Sequence, residues 1–326
     1  MAGTKLQTRA SLGDLGQRNV GPMFEDVFEQ NLVRYSGRDI AEQIFGFKNT
    51  DKSTFRVTGL TGYKLLEEFN EGTAFPKLAN TKGFQTLYNM RDYGGSVTVT
   101  DDMLKDREKL GGALDEMANL ASSTDITEVK GVFMILNGGF GTVATVQGFS
   151  LHRFNSEALF SASHARADGG TAQSNTSATS IALTELNLET GRLALVKQLA
   201  DNGLPMIQTG MITLAVPDDL EKNAVIFTGS QLRATTANND LNFYRGRLNV
   251  ASARWLNSTF GGSATAWFLL VTLPGLDKPL KAYRLGGPEF FAGERDGETW
   301  NRTMSVKNRV AYGNDEWKGT WASPGA

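Results

Sequence analysis

The chain has 326 residues, 40% of them hydrophobic and 21% charged, which is enough apolar material for a packed core and rules against wholesale disorder. Its 33 Lys and Arg against 35 Asp and Glu leave a formal net charge of −2, without the basic excess of a protein that grips nucleic acid through phosphates. Cysteine is absent, which excludes disulfides, thiolate nucleophiles and sulfur-ligated metals, while 36 glycines against 8 prolines favour turns, hairpins and bent strands over a helix bundle.

The first twenty residues are polar, without apolar rhythm or the apolar core of a signal peptide, and read as a flexible arm. No run of about 18 apolar residues follows, so the expectation is a soluble protein made in a cytoplasm, with no membrane span. Pro22 opens an amphipathic helix whose stripe is Phe24, Val27, Phe28, Asn31, Leu32 and Tyr35. A second short helix is expected over residues 38–45. Phe55-Arg56-Val57 and Ser96-Val97-Thr98-Val99-Thr100 then read as strands. Between them lie Gly59, Gly62, Gly72, Gly83, Gly94, Gly95 and Pro76, with Tyr63, Phe69, Phe75, Phe84, Tyr88 and Tyr93 dispersed among the turns. This pattern suggests a long protruding hairpin with those two strands as its legs; the alternative is a small sheet packed on the body.

Asp101 or Asp102 is expected to cap a long helix carrying Met103, Leu104, Leu110, Leu114, Met117, Ala118 and Ala121, resuming at Val129, Phe133 and Leu136. Gly111-Gly112 and Gly131 are candidate bends, and Gly138-Gly139 ends the helix. Residues 161–180, nearly devoid of large apolar side chains, read as a surface loop. A further helix carries Leu183, Leu186, Leu188, Leu193, Leu195, Val196 and Leu199 and stops at Asn202-Gly203-Leu204-Pro205. Beyond Pro205 the chain is β-rich, with strands over residues 211–216, 247–250, 267–271, 303–306 and 310–312; residues 224–227 suit helix or strand.

Chemistry-bearing groups are sparse. His152 and His164 are the two histidines, and with Asp168 they match no helical ligand pair or zinc spacing. Ser161-Ala162-Ser163-His164 invites a Ser–His reading, but side chains so close in sequence rarely meet in nucleophile geometry. There is no GxSxG elbow, P-loop or dinucleotide fingerprint. Asp101-Asp102 and Asp218-Asp219 sit where helices start, so capping explains them. Trp267 belongs in a core strand, whereas for Trp317 and Trp321, in a polar tail, a stacked or interfacial role weighs at least as much as core packing. No catalytic, cofactor-binding or metal residue is assigned, and the expectation is a protein without enzymatic activity.

Several stretches resemble the Mu-type major head subunit family of tailed bacteriophages. They are Ala158-Leu159-Phe160-Ser161-Ala162-Ser163-His164, KQLADNGLP at 197–205, TLAVPDDLE at 213–221, Arg245-Gly246-Arg247-Leu248-Asn249-Val250 before Ala266-Trp267-Phe268-Leu269-Leu270, and Val310-Ala311-Tyr312-Gly313 through Trp317-Lys318-Gly319. The resemblance covers roughly residues 155–325; over residues 1–150 only the order of elements supports it. It implies an α+β chain of the Hong Kong 97-like capsid fold. Residues 1–49 would be the N-terminal arm and 50–100 the extended E-loop. Residues 101–205 would form the peripheral (P) domain with its spine helix, 206–289 the axial (A) domain, and 290–326 the return to the P domain. The implied function is that of a major capsid protein of the virion, made in the host cytoplasm and self-assembling into pentamers and hexamers around double-stranded DNA. Portal, scaffold or decoration proteins are further implied partners. Some relatives link a hairpin lysine covalently to a neighbour; Lys64, Lys77 and Lys82 are available, but no such link is expected here. An encapsulin-like compartment and an unrelated enzyme are the competing readings.

Overall fold

The computed structural model describes residues 21–32, 38–60, 62–70, 74–78, 82–206, 211–231, 241–272 and 278–326. The expected N-terminal arm over residues 1–20 and Tyr35 of the first apolar stripe lie outside them. The helices are α1 (Gly21–Asn31), α2 (Arg38–Ile44), α3 (Asp101–Lys105), α4 (Arg107–Asn137), α5 (Glu185–Val196) and α6 (Asp218–Gly229). The first strands are β1 (Gly46–Thr50), β2 (Thr54–Leu60), β3 (Lys82–Asn89), β4 (Arg91–Val99), β5 (Thr145–Val146) and β6 (Phe149–His152). After them come β7 (Met211–Val216), β8 (Leu248–Ser252), β9 (Trp267–Thr272), β10 (Leu280–Leu285), β11 (Glu289–Arg295), β12 (Arg302–Asn314) and β13 (Thr320–Ser323). The chain forms two compact units: Met1–Arg38 with Arg91–Val129 and Arg284–Val310, and Asp39–Met90 with Lys130–Tyr283 and Ala311–Ala326.

In the first unit, residues 302–310 of β12 pair antiparallel with β11 on one side and β4 on the other, with Phe291 opposite Ser305 and Val97 opposite Met304. Met304 and Val99 face a core that they share with Phe24 of α1, Leu104 of α3, and Leu110, Ala113 and Met117 of α4. Phe28 stacks on Phe290 at 5.4 Å. The apolar stripes read from sequence are thus the buried faces of α1 and α4. Two expectations at the start of the long helix are corrected. The cap is Thr100, whose hydroxyl accepts from the Met103 amide at 3.3 Å, and Asp101 and Asp102 occupy the first turn, where carboxylates suit the helix dipole. The helix does not run unbroken from 101 to 137, because Asp106 is extended (φ −90°, ψ 118°) and separates α3 from α4. The 31 residues of α4 then run about 46 Å, through Gly111, Gly112 and Gly131.

The second unit holds the hairpin. Here the expected legs are also corrected: β2 pairs with β3, placing Phe55 opposite Tyr88, while Ser96 belongs to β4 and pairs with Ser305. Residues 311–314 of β12 lie in a sheet with β1, β10, β6 and β5. A second sheet runs β13-β9-β7-β8, with β7 and β8 parallel and joined through α6. One face of it carries Leu214, Val216, Trp267, Leu269, Val271 and Trp321, packed against Leu188 and Leu195 of α5 and Ala224 of α6. On the other face Phe268 meets Phe140 and Phe160 at 6.1 and 5.6 Å.

Gly131 lies so close to the Tyr312 ring that an added Cβ would overlap it. This close approach, rather than a bend, explains the glycine. Gly131→Ala is expected to destabilise the fold by about 1–3 kcal/mol despite the better helix propensity of alanine, read as a fall in the denaturant midpoint. A midpoint raised above wild type would contradict the packing described.

Candidate functional site

The histidines are held apart by different partners. His152 accepts from the Asn89 amide on Nε2 at 3.1 Å and faces the Tyr312 carbonyl with Nδ1 at 3.1 Å, so Nδ1 carries the proton. His164 is buried at 1% exposure and stacks on Trp317, with centroids 4.3 Å apart and rings 7° from parallel. Its Nε2 lies 3.3 Å from the Leu159 carbonyl and 3.1 Å from Asn175 Oδ1, and its Nδ1 lies 3.2 Å from Glu157. Asn175 is oriented by the Ser161 amide, which donates to Oδ1 at 2.9 Å, and by its own Nδ2 donating to Leu159 at 2.7 Å. The Ser161 hydroxyl accepts from the Ser163 amide at 3.2 Å. Asp168 binds Arg166 and accepts from the Gly170 amide at 2.9 Å, which holds its carboxyl below the usual range. Among the described residues no group of three or more His, Asp or Glu is placed to hold a metal, and no helix is long and apolar enough to cross a membrane.

Two expectations for this region change. Residues 161–180 are not simply a surface loop, since they send His164 and Asn175 into the interior and bridge His164 to Gln173. Trp317 takes the stacked role, on His164, while both it and Trp321, 5.0 Å from Trp267, are buried within the unit, so the interfacial alternative gives way to core packing.

Burial pushes the His164 imidazole below its usual pKa, against the opposing effect of its hydrogen bonds to the Glu157 and Asn175 oxygens. Because the folded state disfavours the imidazolium, its contribution to stability is full above the ordinary value of about 6.5 and is lost as pH falls below it. His164→Gln is therefore expected to flatten the fall in thermal midpoint between neutral and mildly acidic pH. Parallel midpoint curves for the two proteins would contradict this.

Two buried charge centres left no mark in the sequence pattern. In the second unit, Asp315 accepts from Tyr88 at 2.7 Å, Tyr283 at 2.8 Å and Lys281 at 2.5 Å. Burial and this carboxylate hold the Tyr88 phenol well above its usual pKa. In the first unit, Arg38 pairs with Asp125, and Arg284 with Glu128. Burial raises the Asp125 carboxyl above its usual pKa, opposed by Arg38. Both centres have their charges neutralised in place and read as structural.

The hairpin differs from these closed sites. Where its strands pair, Tyr88 stacks on Phe55 at 5.3 Å and packs near Tyr283 at 4.8 Å, against the body of the unit. Beyond the paired strands Tyr63, Leu65, Leu66, Phe69 and Phe75 are exposed, Leu66 to 87%. Phe69 and Phe75 pack against each other, with ring centroids 4.6 Å apart. Asn202 donates to the Tyr63 carbonyl at 2.7 Å, a contact to backbone that leaves the apolar side chains in solvent. Lys64 and Lys77 are exposed along the same stretch, and Lys82 begins β3. Exposed apolar material of this extent marks an interaction surface rather than a catalytic one.

A family model described as phage capsid protein matches residues 83–323. No curated protein matches the chain. Among solved structures, the chain is similar to one titled Mycobacterium phage Patience, with TM-score 0.55 at 12% identity over 94% of this chain and 88% of that one. It is also similar to the capsid of an empty GTA particle, with TM-score 0.52 at 10% identity over 89% and 90% of the two chains. The Bacteriophage JBD30 capsid gives TM-score 0.52 at 15% identity, covering 77% of this chain and 100% of that one. At such identities the likeness concerns the fold.

Proposed function

The chain belongs to the phage capsid protein family and is a shell protein of the virion with the Hong Kong 97-like fold, and from that premise we propose that it closes an icosahedral head of pentamers and hexamers around double-stranded DNA. The single observation that carries the assembly reading is the apolar outer part of the hairpin, exposed in one subunit. Ordering such a segment costs conformational entropy that its own subunit does not offset, so a neighbour's surface completes it. In this reading residues 50–100 serve as the E-loop, 101–205 as the P domain, 206–289 as the A domain and 290–326 as the return to the P domain. The near-neutral charge suits a wall that confines DNA without trapping it. Synthesis in the host cytoplasm and contact with portal, scaffold or decoration proteins complete the proposal.

The contents of native particles test it. Particles in which this chain is the most abundant protein should hold nuclease-protected double-stranded DNA, released only on disruption of the shell. Particles filled with a protein cargo and free of DNA would replace this reading with that of a compartment shell.

A further inference from the structure

Two asparagines of the chain are followed by glycine, in Asn137-Gly138 and Asn202-Gly203. Such a pair carries a latent reaction, in which the glycine amide nitrogen attacks the asparagine side-chain carbonyl. The missing Cβ removes the crowding that hinders this approach before other residues. The surroundings of the two pairs differ. Asn137-Gly138 closes α4, where the Gly138 amide donates to the Met134 carbonyl at 2.9 Å and Asn137 donates to the Trp255 carbonyl at 2.8 Å. A Cβ added to Gly138 would run into the Val146 and Leu151 side chains. Ring closure there means unwinding a packed helix end.

Asn202-Gly203 instead lies in a tight turn of the second unit, between the bridged residues Leu199 and Pro205. The Gly203 amide donates to the Ala200 carbonyl at 2.9 Å, and Gly203 is left-handed at φ 82°, as glycine is in three-residue hairpin loops. The Leu204 amide donates to Asn202 Oδ1 at 3.1 Å. That oxygen gains negative charge when its carbonyl is attacked, so a donor already stands where the oxyanion forms. The Arg166 guanidinium lies against Gly203, where an added Cβ would meet its Nη2 at 2.7 Å, and brings positive charge to the same place. The neighbouring carboxylates are engaged, Asp168 with Arg166 and Asp201 with Lys318 at 3.1 Å. Asn202 also holds the hairpin, since its Nδ2 donates to the carbonyl of Tyr63, at the root of the exposed outer part.

We propose that Asn202-Gly203 is a self-modifying site, whose conversion to aspartate or isoaspartate releases the root of the hairpin from the 199–205 turn. The Gly203 nitrogen bonds to Asn202 Cγ, its proton passes to the departing Nδ2, and ammonia leaves as a succinimide ring closes. Water then opens the ring. Breaking the bond from the Gly203 nitrogen to Cγ gives aspartate, and breaking its bond to the main-chain carbonyl carbon gives isoaspartate, with an extra methylene in the backbone. In aspartate a carboxylate oxygen replaces Nδ2, so an acceptor faces the Tyr63 carbonyl and the tether is lost. The bearing on assembly rests on the shell reading above; the reaction itself does not.

Peptide mapping by mass spectrometry of the purified, unassembled chain, kept warm at neutral pH, tests this. The proposal expects acid to accumulate at position 202 while Asn137 keeps its amide. Brief trypsin treatment should then cut after the exposed Lys64 about two- to tenfold faster in the converted chain, the worth of one lost hydrogen bond. Asn202→Asp made directly should be cut at the converted rate; should that variant fail to fold, the aged wild type carries the same measurement. An Asn202 that keeps its amide after the urea-unfolded chain has converted overturns the proposal. So does conversion that leaves the cut after Lys64 at its original rate, because the tether then holds nothing. A chain that converts and frees Lys64 but never forms shells supports the proposal and removes only the shell reading.

Discussion

Replacing residues 62–80 with a short Gly-Ser turn is expected to leave a folded subunit that closes no shells. Leu60 and Lys82 are paired at the end of the β2–β3 ladder, so a tight turn can join the two strands there without disturbing the register. What is removed includes Tyr63, Leu65, Leu66, Phe69 and Phe75, all exposed within their own subunit. Their loss should therefore leave the thermal midpoint close to wild type, although the hydrogen bond from Asn202 to the Tyr63 carbonyl goes with them. Shell yield by electron microscopy should fall to background. A deletion extended to Asp92 is a different experiment, since it takes out Tyr88 and Thr86, buried at 0 and 1% exposure, and cuts into β4. A folded short-hairpin variant that still closes normal shells would show the segment to be dispensable. An unfolded one would place it in the core.

Asp315→Ala is expected to destabilise the second unit far more than Tyr88→Phe does. The carboxylate receives three donors, and the side chains of Asp315 and Lys281 are only 9% and 7% exposed. Removing it takes the Asp315 charge away from the buried Lys281 ammonium and the Asp315 oxygens away from the two phenols. Breaking a buried pair from one side costs about 3–5 kcal/mol, a large share of the stability of a typical domain. Tyr88→Phe removes one donor and should cost only about 0.5–1.5 kcal/mol. Urea titrations of the three proteins give the ranking. An Asp315→Ala midpoint equal to that of Tyr88→Phe would mean that Lys281 finds solvent and that the centre is not a closed one.

The parts of the fold legible in the sequence are those in which one physical pattern acts alone. Phe24 and Phe28 recur at helical spacing behind Pro22, and Leu110, Met117 and Ala121 do so along α4, because the two helices share the same two apolar clusters. The apolar run of β7 is equally plain, since its last four residues are buried and Leu214 and Val216 pack against the helices. β3 was hidden because Thr86 and Tyr88 point inward while Leu87, on the opposite side, is also apolar and exposed, which blurs the alternation that marks a half-buried strand. The loop around His164 was hidden for another reason. Its buried residues are satisfied by hydrogen bonds to Asn175, Leu159 and Glu157, and such a network has no apolar period. The Arg38, Asp125, Glu128 and Arg284 centre joins residues 87 to 156 positions apart, beyond any local rule. Within the hairpin, the scattered aromatics did signal unpaired surface. The sequence could not separate Tyr88, which packs on Phe55 and Tyr283, from Phe69 and Phe75, which pack on each other and stay exposed.

Electron cryo-microscopy of the purified chain under assembly conditions tests the central claim most directly. The account predicts closed shells in which Leu65, Leu66, Phe69 and Phe75 of each subunit lie against the surface of a neighbour and lose the exposure they have in one subunit alone. A monodisperse monomer under all such conditions, or shells in which these side chains remain in solvent, would contradict it.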